Sequence, residues 1–264
     1  MIIDWIPGWL LFLVVCGVVF ASVEVGFRLG RTTRRKAEDE RESSVSSMAG
    51  VILSVLAFLI AFTFDMVSDR YEVKKSLVRE EANVIRTTWN RADLLPEEDR
   101  AISKALLTQY LERRIDIAIR GDAIEIRQSE PYFVGIQQQL WVIAAANARL
   151  DMNSDIGAMY VDSINQLAEI HATRFGVGLN SRVPTAIWLS LLSLLILGML
   201  ALGYQCAIAD SRRPRVTPSL AAAFALIVVL IASLDNPGNA MIPIPQDALT
   251  NVLSVMKAQS IPPR

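Results

Sequence analysis

The stretch Ser47–Arg91, SMAGVILSVLAFLIAFTFDMVSDRYEVKKSLVREEANVIRTTWNR, decides the fold, because a membrane span in it runs directly into a charged helix. No charged residue occurs between Ser47 and Phe64, an apolar length that can cross a bilayer core of roughly 30 Å. The remainder keeps helical spacing and contains neither Gly nor Pro. One continuous helix of about 44 residues at ~1.5 Å per residue would be roughly 65 Å long. About half of this helix would therefore stand clear of the membrane.

One face of the predicted helix is small or polar along its whole length. Steps of three and four residues place these positions on a single helix face. Such a face either packs closely against a neighbouring helix or faces water. Its members are Ser47, Gly50, Ser54, Ala57, Ala61, Asp65, Ser68, Glu72 and Ser76.

The composition is that of a membrane protein with four spans. Hydrophobic residues make up 52% of the chain and the mean hydropathy is +0.36, whereas soluble domains have about 45–50% apolar residues. The formal net charge of −1 carries no signal for a charged partner. The apolar blocks are Ile6–Phe27, Met48–Val67, Ala186–Ala207 and Leu220–Leu234.

The predicted fold class is therefore an all-α membrane protein, with four transmembrane helices and a helical extramembrane insert between spans 2 and 3. The polar segment between these spans is long enough to form a small helical domain. We divide the chain into residues 1–67 with transmembrane helices 1 and 2, 68–183 with the extension of helix 2 plus a helical bundle, 184–236 with transmembrane helices 3 and 4, and 237–264 as a tail.

Helical spacing also organises the insert and the tail. In the first insert helix Ile102 and Ile119 lie near the apolar face with Tyr110, and Arg114 lies on another face. We expect Gly176, Gly178 and Asn180 to end the last insert helix. The tail helix is amphipathic and is expected to dock on the insert. The predicted helices cover Ala101–Arg120, Tyr132–Arg149, Asp155–Phe175 and, in the tail, about Gln246–Met256.

Basic residues predict the orientation. They follow the first span and the third span in short loops, and short basic loops stay in the cytoplasm. The amino terminus, the insert and the carboxyl terminus are then extracytoplasmic. The basic residues are Arg28, Arg31, Arg34, Arg35, Lys36, Arg41, Arg212, Arg213 and Arg215.

Short segments spread over nearly the whole chain carry a family resemblance. They are LAFLIAFTF (Leu56–Phe64), Arg70 with Tyr71, LVREEANVIRT (Leu77–Thr87), RADLLPE (Arg91–Glu97), Ile170 with His171, VPTAIW (Val183–Trp188), GYQ (Gly203–Gln205) and LDNP (Leu234–Pro237). Together they resemble a bacterial family of bestrophin-like membrane proteins, a domain family without an assigned function. The resemblance implies a multi-pass protein of the bacterial plasma (inner) membrane with two spans on each side of a helical insert. It implies no established activity, although the family name suggests kinship with anion channels.

Signals for chemistry are few. The sequence has no Gly-rich phosphate loop, nucleophile elbow or metal-ligand spacing, so we predict no enzyme, no catalytic residue, no cofactor, no metal and no nucleic-acid partner. His171 is the single histidine and is either a packed or surface residue or a pH-sensing residue. Glu80, Glu81 and Asn83 form either local charge pairs plus one contact that holds the insert together, or an ion site.

Two function classes remain. The first is an oligomeric ion channel in which the second span lines the pore, with the lipid bilayer and inorganic ions as partners and a cyclic homo-oligomer as the assembly. Acidic residues at the outer mouth of the pore favour a preference for cations. The second is a non-conducting scaffold or sensor whose insert binds a partner or ligand. The pore-lining candidates are Ser47, Gly50, Ser54, Ala57, Ala61 and Asp65, and the outer-mouth candidates are Asp69 and Glu72.

Overall fold

The computed structural model describes residues 7–34, 42–120, 123–180, 182–209, 217–236 and 242–259. Every regular element within these ranges is a helix, so the predicted all-α class is confirmed. A short 3₁₀ turn, Ala92–Leu94, separates the second helix from the third. The helices are α1 Gly8–Arg34, α2 Glu42–Arg91, α3 Glu97–Arg120, α4 Ala123–Gln128, α5 Glu130–Leu150, α6 Asp155–Asn180, α7 Thr185–Ile208, α8 Thr217–Asp235 and α9 Asp247–Gln259.

Four of these helices, α1, α2, α7 and α8, are long and apolar enough to cross a membrane, which confirms the predicted four spans. Helix α2 has 50 residues and contains both the second span and the charged stretch. The prediction of one continuous helix is therefore confirmed, and at ~1.5 Å per residue its length is about 75 Å. Leu95 and Pro96 follow the 3₁₀ turn, and Glu97 begins α3 with three acidic residues in its first turn.

The chain forms two compact units. The membrane-spanning unit comprises Met1–Asp69 and Arg182–Asn236, and the extramembrane unit comprises Arg70–Ser181 and Pro237–Arg264. Within the membrane-spanning unit, apolar side chains of α1, α2, α7 and α8 form one buried cluster. Fully buried members include Val19, Leu56, Leu191, Leu195 and Ile231.

Glycines allow α1 and α7 to approach closely within the membrane-spanning unit. A Cβ atom on Gly26 would overlap the backbone carbonyl of Leu200, and one on Gly203 would overlap that of Val23. A Cβ on Gly30 would lie 2.7 Å from the Cβ of Ala207. Since lipid tails give helices little hydrophobic reason to associate, close backbone packing of this kind is a main source of helix contact in a membrane.

We expect Gly203→Ala to destabilise the membrane-spanning unit by about 1–3 kcal/mol, because the added methyl group forces the backbones of α1 and α7 apart. Gly17→Ala is the matched control, since Gly17 is exposed on α1 and an added Cβ meets no atom within 4 Å. Thermal melting of both variants in the same detergent measures the difference. Equal melting temperatures would show that the close approach contributes nothing to stability.

The ends of α7 and α8 are joined by a buried carboxylate. The Val183 backbone N–H donates to Oδ1 of Asp235 at 2.8 Å, and Asp235 is only 7% exposed. Pro184 occupies the N-cap of α7, as expected for a helix start before the third span. Asp235 thus fixes the end of α8 to the start of α7.

The extramembrane unit has its own apolar core, built from α2, α3, α5, α6 and α9. Its largest fully buried side chains include Tyr110, Phe133 and Tyr160. The tail helix α9 contributes Leu249, Val252 and Met256 to this core, so its predicted docking is confirmed.

Two expectations about the insert were wrong. Helix α6 was expected to end at Phe175 but continues through Gly176 and Gly178 and ends at Asn180, the last of the three residues expected to end it. A helix-interior Gly costs only about 1 kcal/mol relative to Ala and does not by itself end a helix. On α3, Ile102 and Ile119 are 45% and 72% exposed whereas Arg114 is 7% exposed. The buried face of α3 therefore includes the arginine that was assigned to its polar side.

Candidate functional site

The predicted pore-lining residues share one exposed face of α2. This face lies away from the buried side, where Leu56, Ile60 and Thr63 pack in the membrane-spanning unit. The Ser54 hydroxyl donates to the Gly50 carbonyl at 2.9 Å, so it is satisfied within its own helix. In the single chain these positions are exposed, as are the larger apolar side chains of Val51 and Phe58 on the same helix. The exposed candidates are Ser47, Gly50, Ser54, Ala57, Ala61 and Asp65.

The acidic candidates continue on the same helix. Asp65 and Asp69 are exposed in the membrane-spanning unit, and Glu72 is exposed in the extramembrane unit. Oε1 of Glu72 accepts a hydrogen bond from Lys75 Nζ at 3.3 Å. Such exposed i,i+3 pairs contribute only a few tenths of a kcal/mol. Because Asp65, Asp69 and Glu72 are all exposed, their carboxylates lie at the surface of α2.

A second site lies inside the extramembrane unit, around Glu81. The Glu81 side chain is fully buried, whereas its neighbour Glu80 is exposed. Arg114 Nε donates to both carboxylate oxygens of Glu81, at 3.0 and 3.2 Å. Arg174 Nη1 donates to Oε2 of the same carboxylate. One buried carboxylate therefore faces two guanidinium groups, and the cluster carries an excess of one positive charge.

Tyr110 links Glu81 to His171. The Tyr110 hydroxyl lies 2.9 Å from Glu81 Oε1 and 3.3 Å from His171 Nδ1. An ionised carboxylate only accepts, so the tyrosine donates to Glu81 and its oxygen accepts from Nδ1–H. This arrangement assigns the neutral tautomer of His171 with its proton on Nδ1. The other nitrogen, Nε2, is buried and has no hydrogen-bond partner among the described residues.

The protonation states follow from these contacts. Burial alone would raise the pKa of Glu81, but the charges of Arg114 and Arg174 lower it to about 2. Burial and the nearby Glu81 carboxylate raise the pKa of Tyr110 well above its ordinary value. Burial, together with the positive charge of Arg114, lowers the pKa of His171 to about 4. At neutral pH the carboxylate is charged while the phenol and the imidazole are neutral.

Aromatic rings surround the cluster. The Phe133 ring centroid lies 5.1 Å from that of Tyr110, 5.4 Å from that of His171 and 5.2 Å from Arg114 Cζ. On the same helix as His171, Phe175 stacks on the imidazole at 6.2 Å. These rings exclude water, which strengthens both the attraction between the paired charges and the cost of an unpaired one.

The tail meets this cluster through Gln246. Arg174 Nη2 donates to Gln246 Oε1 at 2.9 Å, and the Gln246 amide donates to the Ile244 carbonyl at 2.8 Å. Just before Ile244 in the same segment, the Pro243 carbonyl accepts a hydrogen bond from the Tyr71 hydroxyl at 3.3 Å. Arg174 thus contacts both Glu81 and the tail.

The structure separates the predicted site residues into two groups. The α2 candidates share one face, whereas His171 lies in the buried cluster. Glu81 and His171 were candidates from the sequence, whereas Tyr110 and Arg114 were not identified as their partners. Tyr110 and Arg114 are four residues apart on α3, and this i,i+4 spacing was the sequence signal that their side chains share one helix face. Among the described residues, no group of three or more His, Cys, Asp or Glu side chains could hold a metal ion.

The four spans and the helical extramembrane unit define a multi-pass integral membrane protein of the all-α class. The bestrophin-like domain family matches residues 13–239. The chain therefore belongs to the bestrophin-like family, as the sequence resemblance predicted.

Two solved structures share the fold, both of a bacterial bestrophin homologue from Klebsiella pneumoniae and each carrying a single mutation. The first has a TM-score of 0.68 and 15% sequence identity, and the match covers 93% of this chain and 99% of that one. The second has a TM-score of 0.64 and 15% identity, and covers 92% and 98% of the two chains. No curated protein matches the chain. At this identity the likeness concerns the fold.

Proposed function

We propose that the protein is the subunit of an oligomeric ion channel in which α2 lines the pore. The observation that carries this proposal is a stripe of small or polar positions on the exposed side of α2, which runs from Ser47 to Ala61 and ends at Asp65; it lies beside exposed apolar residues such as Val51 and Phe58. Small residues permit a narrow pore, and polar or charged ones keep it hydrated. We expect no enzymatic activity.

A cyclic homo-oligomer follows from the number of spans. The four helices bury their apolar faces in one common cluster, which leaves no channel among the residues that the structure describes. A pore then requires several copies around a symmetry axis, each presenting the same face of α2. Mass measurement of the protein in native lipid tests this step, and a monodisperse monomer would contradict it.

Conduction and pore position are tested together. We expect purified protein in planar bilayers to conduct, and single cysteines at Ser54 and Ala57 to react with a hydrophilic thiol reagent. Cysteine at Leu56, which is fully buried in the protomer, is the matched control and should react slowly. Absence of conductance under every ionic and pH condition would remove the channel hypothesis.

Selectivity is the finer part of the proposal. In a ring of subunits Asp65, Asp69 and Glu72 become rings of carboxylates, which concentrate cations and repel anions. A preference for cations follows, against the kinship with anion channels that the family name suggests.

We expect Asp65→Asn to shift the reversal potential in a salt gradient towards that of anions, and Glu72→Gln to do so less. Asp65 lies nearer the hydrocarbon, where a charge is less screened, and Glu72 is partly neutralised by Lys75. Asp155→Asn, at an exposed position in α6, is the control and should leave selectivity unchanged. If Asp65→Asn lowers only the stability of the oligomer, Asp65 is a structural contact rather than a pore residue.

A second candidate function is a non-conducting scaffold or sensor. The observation that favours it is the turn between α5 and α6, where Leu150 and Met152 are 83% and 88% exposed. A contiguous patch of exposed apolar side chains marks a partner-binding surface, and these two side chains would form part of such a patch. The bilayer recordings above separate the two functions.

We also propose that both termini and the extramembrane unit are extracytoplasmic, in the plasma (inner) membrane of a bacterium. Arg28 and Arg31 lie in the last turns of α1, and most of the other basic residues that support this orientation lie outside the described residues. In a variant lacking Cys16 and Cys206, a cysteine at exposed Asp155 should react with a membrane-impermeant reagent in intact cells. A cysteine at Arg28 should react only after the cells are opened, and the reverse pattern would overturn the orientation.

A further inference from the structure

Nε2 of His171 is one of several buried polar atoms of the extramembrane unit without a hydrogen-bond partner among the described residues, and it belongs to the Glu81 cluster. His171 is 4% exposed, and its Nε2 has no partner among the described residues. A buried acceptor without a donor costs about 1–3 kcal/mol. This cost makes Nε2 a site where a small hydrogen donor or a proton can bind.

The charged groups around His171 decide whether protonation of Nε2 stabilises or destabilises the cluster. The groups that face it are Glu81 from α2, Tyr110 and Arg114 from α3, Arg174 from its own helix α6, and the uncharged Phe133 from α5. The single carboxylate among them is already paired with both arginines, and Tyr110 stands between it and the imidazole. A second excess positive charge would therefore remain uncompensated in a site that excludes water.

We propose that His171 is an acid-sensing lock of the extramembrane unit: a proton on its buried Nε2 repels Arg114 and Arg174 and releases α6 from the tail. The link to the tail is the hydrogen bond from Arg174 Nη2 to Gln246 Oε1. Moving α6 separates the imidazolium from Arg114 of α3, because Arg114 is held by both oxygens of Glu81. Arg174 moves with its own helix and loses its contacts with Glu81 and Gln246. The inference is independent of conduction.

The difference between the pKa of His171 in the folded and unfolded states gives the sign and size of the effect of pH on stability. The pKa of His171 is about 4 in the folded chain, below its ordinary value of 6.5, so the unfolded state binds the proton first. The contribution of neutral His171 to the free energy of unfolding is complete above about pH 6.5 and is lost as the pH falls towards 4. Between pH 7 and pH 4 the opening equilibrium should increase about a hundredfold through this residue.

The test uses the single histidine as its own probe. In full-length protein labelled with ¹⁵N-histidine, one imidazole signal should titrate near pH 4. In hydrogen exchange corrected for intrinsic rates, amides of α6 and α9 should lose protection about a hundredfold more in the natural chain than in His171→Gln between pH 7 and pH 4. The glutamine amide can donate to Tyr110 but cannot acquire a proton.

Two results would overturn the proposal. One is an imidazole that titrates near 6.5, like that of an exposed histidine. The other is a loss of protection in α6 and α9 that is equal in the natural chain and in His171→Gln. Should His171→Gln fail to fold, His171→Phe replaces it, since phenylalanine suits a pocket bounded by Phe133 and Phe175.

Discussion

Replacing Glu81 by Gln is expected to destabilise the extramembrane unit by about 3–5 kcal/mol, the loss typical of a buried ion pair that loses one partner. Glutamine has nearly the shape of glutamate and can still accept one hydrogen bond from Arg114 or Arg174. It cannot neutralise either guanidinium. Two buried positive charges would then lie together without a carboxylate, and desolvation would favour opening of the unit.

The adjacent residue provides the matched control. Glu80→Gln makes the same chemical change one position earlier, on the exposed side of α2, and should alter stability by less than about 0.5 kcal/mol. Urea unfolding followed by circular dichroism at neutral pH compares the two variants. Equal losses would mean that the Glu81 cluster contributes no more than a surface charge.

The apolar design of the membrane-spanning unit could be predicted from local sequence. Hydropathy over one segment decides whether it can cross a bilayer, and the four blocks became α1, α2, α7 and α8. The continuity of α2 was predictable because Ser47–Arg91 contains no Gly or Pro after Gly50. These properties depend on residues that are close in the chain.

The buried cluster could not be predicted in the same way. Glu81 and Arg114 are 33 positions apart, and Glu81 and Arg174 are 93 positions apart. An arginine on an amphipathic helix is assigned to the solvent face unless a buried carboxylate is known to meet it. The same reasoning placed Ile102 and Ile119 inside, although α3 buries the face that carries Tyr110 and Arg114.

The α2 face shows a different limit. Periodicity predicted correctly that the small and polar residues share one side of the helix, and the structure places that side away from the protomer's own core. A pore wall and a contact between helices of two subunits need the same small residues. Water accessibility at Ser54 and Ala57 is therefore the property that separates them.

We expect Leu249→Ala to destabilise the extramembrane unit by about 2–5 kcal/mol, as for a leucine removed from a well-packed core. Leu249 is fully buried in a tail helix whose other anchors, Val252 and Met256, enter the same apolar cluster. Removing this side chain leaves a cavity and also weakens the segment that holds Gln246 against Arg174.

Val255→Ala is the matched control, because Val255 belongs to the same helix but is 48% exposed; its effect should stay below about 0.5 kcal/mol. Hydrogen exchange distinguishes the two ways in which Leu249→Ala can act. If the tail is an integral part of the core, protection falls in α3 and α6 as well as in α9. If only α9 loses protection, the tail is a separable element that the rest of the unit does not require.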